Sequence, residues 1–443
     1  RAGGSEMGAD LAIWMFPAAF LLIFAGIPVA FSLLIVAVLF AFPFFGSLTG
    51  LQLYQFVGSV SSNYSLAAVP LFIFMGAVLE SSGIGKRAFD ALSMWMGPLP
   101  GGLAIATLAM CTLFAAGTGV VGAVEVMTGL LVMAPMRAAG YSKSIISGTV
   151  CAGGSLGTMI PPSIVVVIYA SVAQVPIGVL FGAVLVPGFL MVFFFLVWIV
   201  IYAVIWPQEA PRVRFGQDMP LGRKLVFTAY ALFPPMALVT SVIGSILLGV
   251  AAVTEAAAIG AVGALLLNVL YRDFGWKETW NATVKTATVS SMIIFVALGG
   301  TMFTSIFKIQ GGAQLVNAAV SSFDLGSVGL VIMLLLAYFI AGMILDWISA
   351  VLICTPIFMP FLQAAGVDPI WFGVLAVIML QTSYLTPPMA PAVFYLKGIA
   401  PPDFSTMTMY RGVFPFILCQ FLTAAAVFAF PEIAMMIPEM MRR

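Results

Sequence analysis

Two short stretches of the chain combine residue types and spacing that suit ion and anion binding. Gly153-Gly154-Ser155-Leu156-Gly157-Thr158-Met159-Ile160-Pro161-Pro162 and Gln381-Thr382-Ser383-Tyr384-Leu385-Thr386-Pro387-Pro388 each end in a proline pair inside apolar sequence. Proline has no N–H and clashes with the carbonyl one turn earlier, so each pair frees carbonyl oxygens in mid-helix. Freed carbonyls and hydroxyls at half-helix ends suit a hard cation such as Na+. Half-helices that begin near Pro162 and Pro388 present unpaired N–H groups and positive dipole ends, which can hold a carboxylate or sulfonate without a buried arginine. The nearby hydroxyls are Thr118, Ser155, Ser163, Ser349, Thr382 and Thr386. The bland alternatives are a kinked packed helix for each proline pair and a satisfied intrahelical bond for each hydroxyl. Three acids also stand out, because ionisable groups in apolar spans are expensive: Glu125, Glu255 within Thr254-Glu255-Ala256-Ala257-Ala258, and Asp346.

Composition decides which classes of function survive. Of 443 residues 63% are hydrophobic and 7% charged, against about 25% charged in an average soluble domain. With a mean hydropathy of +1.17, the chain is a polytopic membrane protein, not a soluble globule. No histidine is present, which excludes Ser-His-Asp triads, HExxH zinc sites and histidine proton relays, and a net charge of +1 offers no field for nucleic acid. Cys111, Cys151, Cys354 and Cys419 lie in apolar stretches without a CxxC spacing and read as small buried hydrophobes.

Hydropathy and Gly/Pro punctuation predict the elements that position these residues. Full spans are expected near 11–27, 28–46, 67–82, 142–170, 178–205, 225–248, 252–271, 287–306, 369–396 and 412–435. Two apolar stretches, 101–135 and 328–362, are too long for one span. Each is broken by small or polar residues, Ala116-Gly117-Thr118-Gly119 and Leu345-Asp346-Trp347-Ile348-Ser349, and reads as a re-entrant hairpin. Residues 1–10 read as a remnant or linker, 206–224 as a polar linker between halves, and 50–65, 83–97, 272–286 and 308–326 as interfacial helices. With the amino terminus outside, 13 of the 17 Lys and Arg residues fall on the cytoplasmic face. The positive-inside rule then puts both termini outside.

The halves repeat. Ala138-Ala139-Gly140, Pro161-Pro162 and Tyr169 recur as Ala364-Ala365-Gly366, Pro387-Pro388 and Tyr395, all at a single offset of 226 in the numbering. One half starts outside and the other inside, so the predicted fold is all-α with inverted repeats, 11–205 and 225–443. Each repeat holds a hairpin and a broken helix (142–170 and 369–396), the sequence signature of a secondary transporter.

The chain resembles the large membrane subunit of tripartite ATP-independent periplasmic (TRAP) transporters, a DctM-like family. The resemblance rests on Thr-Gly-Val-Val-Gly-Ala (118–123), Gly-Ser-Leu-Gly-Thr-Met-Ile-Pro-Pro-Ser-Ile (154–164), Thr-Glu-Ala-Ala-Ala (254–258), Leu345-Asp346 with Thr355-Pro356, and Thr-Pro-Pro (386–388). It implies the elevator-type ion-transporter architecture and no enzyme activity, with sodium-coupled uptake of a small organic anion across the bacterial inner membrane. It also implies a small four-helix membrane subunit and a soluble periplasmic binding protein as partners. By that resemblance Gly117, Thr118, Gly154, Gly157 and Met159 would form one sodium site, and Asp346, Thr382, Leu385 and Pro387 the other. Thr118, Gly119, Ser155, Ser163, Ser349 and Thr386 would face substrate, with Glu125 and Glu255 in coupling or structural roles. Many members carry Ser-Gly-Ser-Ser at the first hairpin turn; Ala-Gly-Thr-Gly here resembles a branch associated with varied small organic anions. The competing expectation is a stand-alone sodium/dicarboxylate symporter or ion exchanger of the same superfamily.

Overall fold

The computed structural model describes residues 3–118, 122–213, 219–312, 314–315 and 326–441, and among these every regular element is a helix. The amino-terminal half comprises α1 (Gly3–Phe24), α2 (Val29–Phe45), α3 (Thr49–Ser61), α4 (Ala68–Ser81), α5 (Ile84–Met96), α6 (Gly102–Thr118), α7 (Ala123–Ala138), α8 (Lys143–Ser155), α9 (Ile164–Ala173) and α10 (Ile177–Ile205). The second comprises α11 (Leu221–Leu247), α12 (Val253–Leu270), α13 (Trp276–Ile309), α14 (Ser327–Ile344), α15 (Trp347–Ala364), α16 (Pro369–Leu385), α17 (Pro391–Ile399), α18 (Thr406–Ala429) and α19 (Glu432–Met441).

Eight described helical spans are long and apolar enough to cross a membrane, or nine when α4 and α5, bent by 64° at Ser82-Gly83, count as one. Ten crossings are expected from hydropathy. The expected spans 142–170 and 369–396 prove to be pairs of helices, and the pieces Ile164–Ala173 and Pro369–Leu385 are too short to cross alone. Other expectations shift at their ends. Residues 3–10, expected as a remnant or linker, are the first turns of α1, and residues 221–224 of the expected 206–224 linker belong to α11. The expected interfacial helix 272–286 merges with the span 287–306 into α13, because Trp276–Thr286 is polar without a helix breaker. The last span ends at Ala429, before Pro431, and α19 is a separate helix.

The hairpins and breaks repeat in register. α6, α7, α8 and α9 begin at 102, 123, 143 and 164; α14, α15, α16 and α17 begin at 327, 347, 369 and 391, offsets of 225, 224, 226 and 227. Within each set the first hairpin arm packs on the helix before the break, α6 on α8 and α14 on α16. Across sets the pattern reverses: α7 packs on α17, and α15 packs on α9. Each hairpin is therefore braced by the half-helix that follows the other half's break.

The remaining helices frame this centre. α4 packs closely on α12, with Gly260 against Met75, and α2 packs on α13, with Gly299 against the Ala30 carbonyl. α8 crosses α18 at Gly148 and Gly412, where a Cβ on either glycine would overlap the backbone of the other helix. Small residues at such a crossing let two helices approach within backbone contact. The four ion pairs among the described residues are Arg87–Asp273, Lys285–Glu80, Arg137–Asp403 and Lys143–Asp403. All four use basic residues that the charge pattern assigns to one face.

Candidate functional site

Both proline pairs interrupt their helices as the sequence predicts. After Ser155 one tight turn, Leu156–Thr158, leads to Pro161-Pro162, and α9 resumes at Ile164. Neither proline has an N–H, so the Gly157 and Thr158 carbonyls lack their α-helical donors. The Ser163 hydroxyl donates to the Thr158 carbonyl at 2.6 Å. In the second break Pro387 and Pro388 remove the donors for Ser383 and Tyr384. The Thr386 N–H donates instead to Ser383 O, and the Thr386 hydroxyl donates to Thr382 O at 2.7 Å. Gly157 and Tyr384 thus keep carbonyls without that helical donor, in equivalent turns of the two halves. Both X-Pro bonds, 161–162 and 387–388, are cis.

The breaks meet at Ser155 and Gln381, which are 226 residues apart and occupy equivalent positions of the repeat. The Gln381 amide donates to Ser155 Oγ at 3.1 Å, and its carbonyl oxygen accepts from the Thr158 hydroxyl at 3.0 Å. Gln420, from α18, donates to the same Ser155 Oγ at 3.3 Å. All four side chains are buried. A residue that bonds its own repeat equivalent lies near the axis relating the halves. The Gly148–Gly412 crossing carries Gln420 to this point two turns further along. Sequence reasoning places Ser155 here but assigns Gln381 and Gln420 no role. Gln420 was findable as a lone amide within the apolar stretch 413–430.

Glu125, three residues past the first hairpin tip, is fully buried. Its Oε2 accepts from the Gly122 N–H at 2.6 Å, while Oε1 has no partner among the described residues. The carboxylate lies flat on Gly154, where any side chain would collide with its Cγ and Cδ. Buried polar atoms are nearly always bonded, so an orphaned carboxylate oxygen beside freed carbonyls fits a cation ligand. Gly117 ends the same hairpin arm next to Leu79. Met159 and Leu385 are buried in their respective breaks. Gly119 lies outside the described residues, as does the side chain of Thr118.

At the second hairpin, Asp346 caps α15. Its Oδ2 accepts from the N–H groups of Ile348 (3.1 Å) and Ser349 (3.3 Å), and its Oδ1 from the Ser349 hydroxyl (2.5 Å). Gly342, four residues earlier, presses on Ser383 of the break. The Thr382 hydroxyl is bonded within its own helix, to Ile378 O at 2.7 Å. Tyr384 is buried at the second break. Its ring stacks on Tyr395 with centroids 6.5 Å apart, and Tyr395 covers Gly122 at the first hairpin tip. Tyr169, the repeat counterpart of Tyr395, also reaches across the halves, donating to Pro369 O at 3.0 Å.

The two breaks differ in access. Pro161 and Pro162 are buried, whereas Pro387, Pro388 and Met389 are exposed. Glu255 is not drawn into this centre. It sits exposed in the first turn of α12, where Oε2 accepts from the Ala252 N–H at 2.9 Å, an ordinary helix cap. Among the described residues no three His, Cys, Asp or Glu side chains cluster, so a cation here would have to draw on carbonyls, hydroxyls and single carboxylates. Three of the four cysteines are buried and Cys419 partly so, as expected for apolar filler.

Comparison with known proteins gives this arrangement a family. Residues 16–433 match the tripartite ATP-independent periplasmic transporter, DctM component. The chain is 30% identical to the sialic acid TRAP transporter large permease protein SiaM of Vibrio cholerae, over 95% of this chain and 96% of that one. It is 29% identical to the C4-dicarboxylate TRAP transporter large permease protein DctM of Pseudomonas aeruginosa, covering 86% and 87%. The isethionate TRAP transporter permease protein DctMQ of Oleidesulfovibrio alaskensis is 29% identical over 86% of this chain and 59% of its own length. The YdaH transporter of Alcanivorax borkumensis shares the fold, with a TM-score of 0.62 at 17% identity over 84% of this chain and 86% of that one. The chain is a multi-pass membrane protein that belongs to the DctM component family of tripartite ATP-independent periplasmic transporters.

Proposed function

We propose that the chain takes up a small organic anion, a carboxylate or sulfonate, by sodium-coupled secondary transport with an elevator motion. The observation that carries this reading is the buried Glu125 carboxylate, one oxygen unpartnered among the described residues, held against Gly154 where Pro161-Pro162 frees backbone carbonyls. That donor set is all oxygen, as a hard alkali cation requires. A sodium ion there would supply the positive charge that favours a nearby anion. Gly154, Gly157 and Met159 with Gly117 and Thr118 would hold one ion, and Asp346, Thr382, Leu385 and Pro387 the other. Thr118, Gly119, Ser155, Ser163, Ser349 and Thr386 are the proposed substrate neighbours. Ser155 and Ser163 also tie the break together, which positions the half-helix N-terminus of α9.

The cross-bracing of hairpins and half-helices favours movement of α6–α9 and α14–α17 as one body against α4, α12 and the long α13. The relatives' names, which include dicarboxylate, sialic acid and isethionate transporters, support an anionic cargo. Delivery by a periplasmic binding protein, a separate small four-helix membrane subunit, location in the bacterial inner membrane and periplasmic termini belong to the same proposal. The fused DctMQ relative supports a partner subunit. The test is uptake into proteoliposomes holding this chain with its small subunit and binding protein. Accumulation should require an inward sodium gradient and the binding protein. Uptake unchanged when potassium replaces sodium overturns the coupling, and uptake without the binding protein favours the stand-alone symporter.

A further inference from the structure

Away from the breaks, α13 carries a polar stripe inside apolar sequence: Thr301, Thr304, Ser305 and Lys308, at i, i+3, i+4 and i+7. That spacing puts all four on one helical face. The face lines a cavity of about 300 Å³, closed by α3, by the end of α9 and by the middle of α15. Ser59 and Gln174 add polar groups to its wall. Among the described residues no acidic side chain lines it. Lys308 is exposed and, among the described residues, forms no ion pair. The Thr304 hydroxyl is spent on the Gly300 carbonyl (2.8 Å), but among the described residues Thr301 and Ser305 have no hydroxyl bond of this kind. A lysine serving only to anchor a helix end at a headgroup layer needs no polar cavity beneath it.

We propose that this cavity is a binding site for the acidic group of a small carboxylate or sulfonate, with the Lys308 ammonium as its charge partner and Thr301 and Ser305 as hydroxyl donors. Its volume is at the small end of ligand pockets and suits a short-chain acid. The site is separate from both breaks, and on the orientation proposed above it opens on the periplasmic side. It would then receive cargo before the breaks do. Only the class of anion is taken from the uptake reading.

The test is chemical protection on the purified full chain. Ser59→Cys introduces a thiol in the cavity wall while leaving the proposed donors Thr301 and Ser305 in place, and its alkylation by N-ethylmaleimide, above that of the chain without this thiol, is timed with and without succinate, isethionate or acetate. At least one acid should slow alkylation saturably. Adding Lys308→Gln should raise the half-protecting concentration about tenfold or more, the scale of a lost charged hydrogen bond, while Lys308→Arg should keep protection. Unchanged alkylation with all three acids overturns the proposal, as does protection that survives Lys308→Gln. Protection by phosphatidylglycerol micelles alone assigns the cavity to a lipid headgroup and equally overturns it. Sodium-driven uptake by the unmodified chain is measured in parallel, so failure of this site and failure of the transport reading are separate results.

Discussion

Replacing Gln381 with leucine removes the amide that joins the two breaks while keeping a side chain of similar bulk. The two amide–hydroxyl bonds disappear, Gln381 Nε2 to Ser155 Oγ and Thr158 Oγ1 to Gln381 Oε1, together with the weaker donation from Nε2 to Met191 Sδ at 3.1 Å. Neither hydroxyl is orphaned, because Ser155 still accepts from Gln420 and donates to Ala152 O, and Thr158 still donates to Ser155 O. Interhelical hydrogen bonds in membrane proteins average about 0.6 kcal/mol and reach about 1.7 kcal/mol. For two such bonds the expected loss is about 1–2 kcal/mol. Ser155→Ala acts differently: it strips the acceptor from two buried amides, and a buried donor left unmade costs about 1–3 kcal/mol. In the double variant the Gln381 share of that penalty vanishes with its amide. The two losses should then fall short of additivity by about 0.5–1.5 kcal/mol, the scale of one net hydrogen bond between coupled residues. Reversible unfolding in mixed micelles, titrated with dodecyl sulfate and followed by tryptophan fluorescence, measures all four corners of the cycle. Additivity within about 0.3 kcal/mol, the behaviour of distant sites, would refute the direct bond between the breaks.

Three further outcomes follow from the same geometry. Gly154→Ala forces a methyl into the Glu125 carboxylate and should cut sodium-driven uptake at least about tenfold, with about 1–3 kcal/mol lost to overpacking; Gly398→Ala, which meets nothing within 4 Å, should leave uptake and melting temperature unchanged. Asp346→Ala deletes the α15 cap and should cost about 0.5–2 kcal/mol, while Asp346→Asn should keep most of that stability yet weaken any sodium dependence of uptake. Asp403 accepts from Lys143 and pairs with Arg137, and the Lys143 hydrogen bond holds its carboxyl below the usual carboxylate range. A depressed folded-state value means the pair stabilises above the ordinary carboxylate pKa and fades as pH falls through the lowered one. Asp403→Asn should accordingly lower the melting temperature at pH 7 but not at pH 3, and the neutral-pH difference should shrink in high salt because the pair is exposed.

The two breaks were legible because proline acts locally: its missing N–H interrupts a helix whatever surrounds it, so Pro161-Pro162 and Pro387-Pro388 could be read from the chain alone. The offset of 226 was legible for the same reason, since glycine and proline positions are fixed by backbone needs. Glu255, expected in a coupling or structural role, stands in a structural one as the cap of α12. Its value as a helix cap depends on where α12 begins, and hydropathy locates helix ends only to within a turn. Gln420 lies on α18, remote in sequence from the Gln381 break, and its approach depends on the Gly148–Gly412 crossing, a tertiary fact with no local signal. α13 was cut short because its first turns are polar, although nothing there breaks a helix. The access difference between Pro162 and Pro388 depends on which helices pack over each break and has no counterpart in sequence.

The Ser155–Gln381 bond also bears on how such a chain came to be asymmetric. In an assembly of two identical halves, one residue type would have to face its own copy at that spot. A serine facing a serine, or a glutamine facing a glutamine, would lack the pairing of long amide with short hydroxyl found here. Once the two halves are encoded separately, whether in two genes or in one, the two positions can diverge into a long amide and a short hydroxyl. The halves then cease to be interchangeable: a chain with its repeats exchanged in order would keep the bond, whereas one built from two copies of either repeat would lose it.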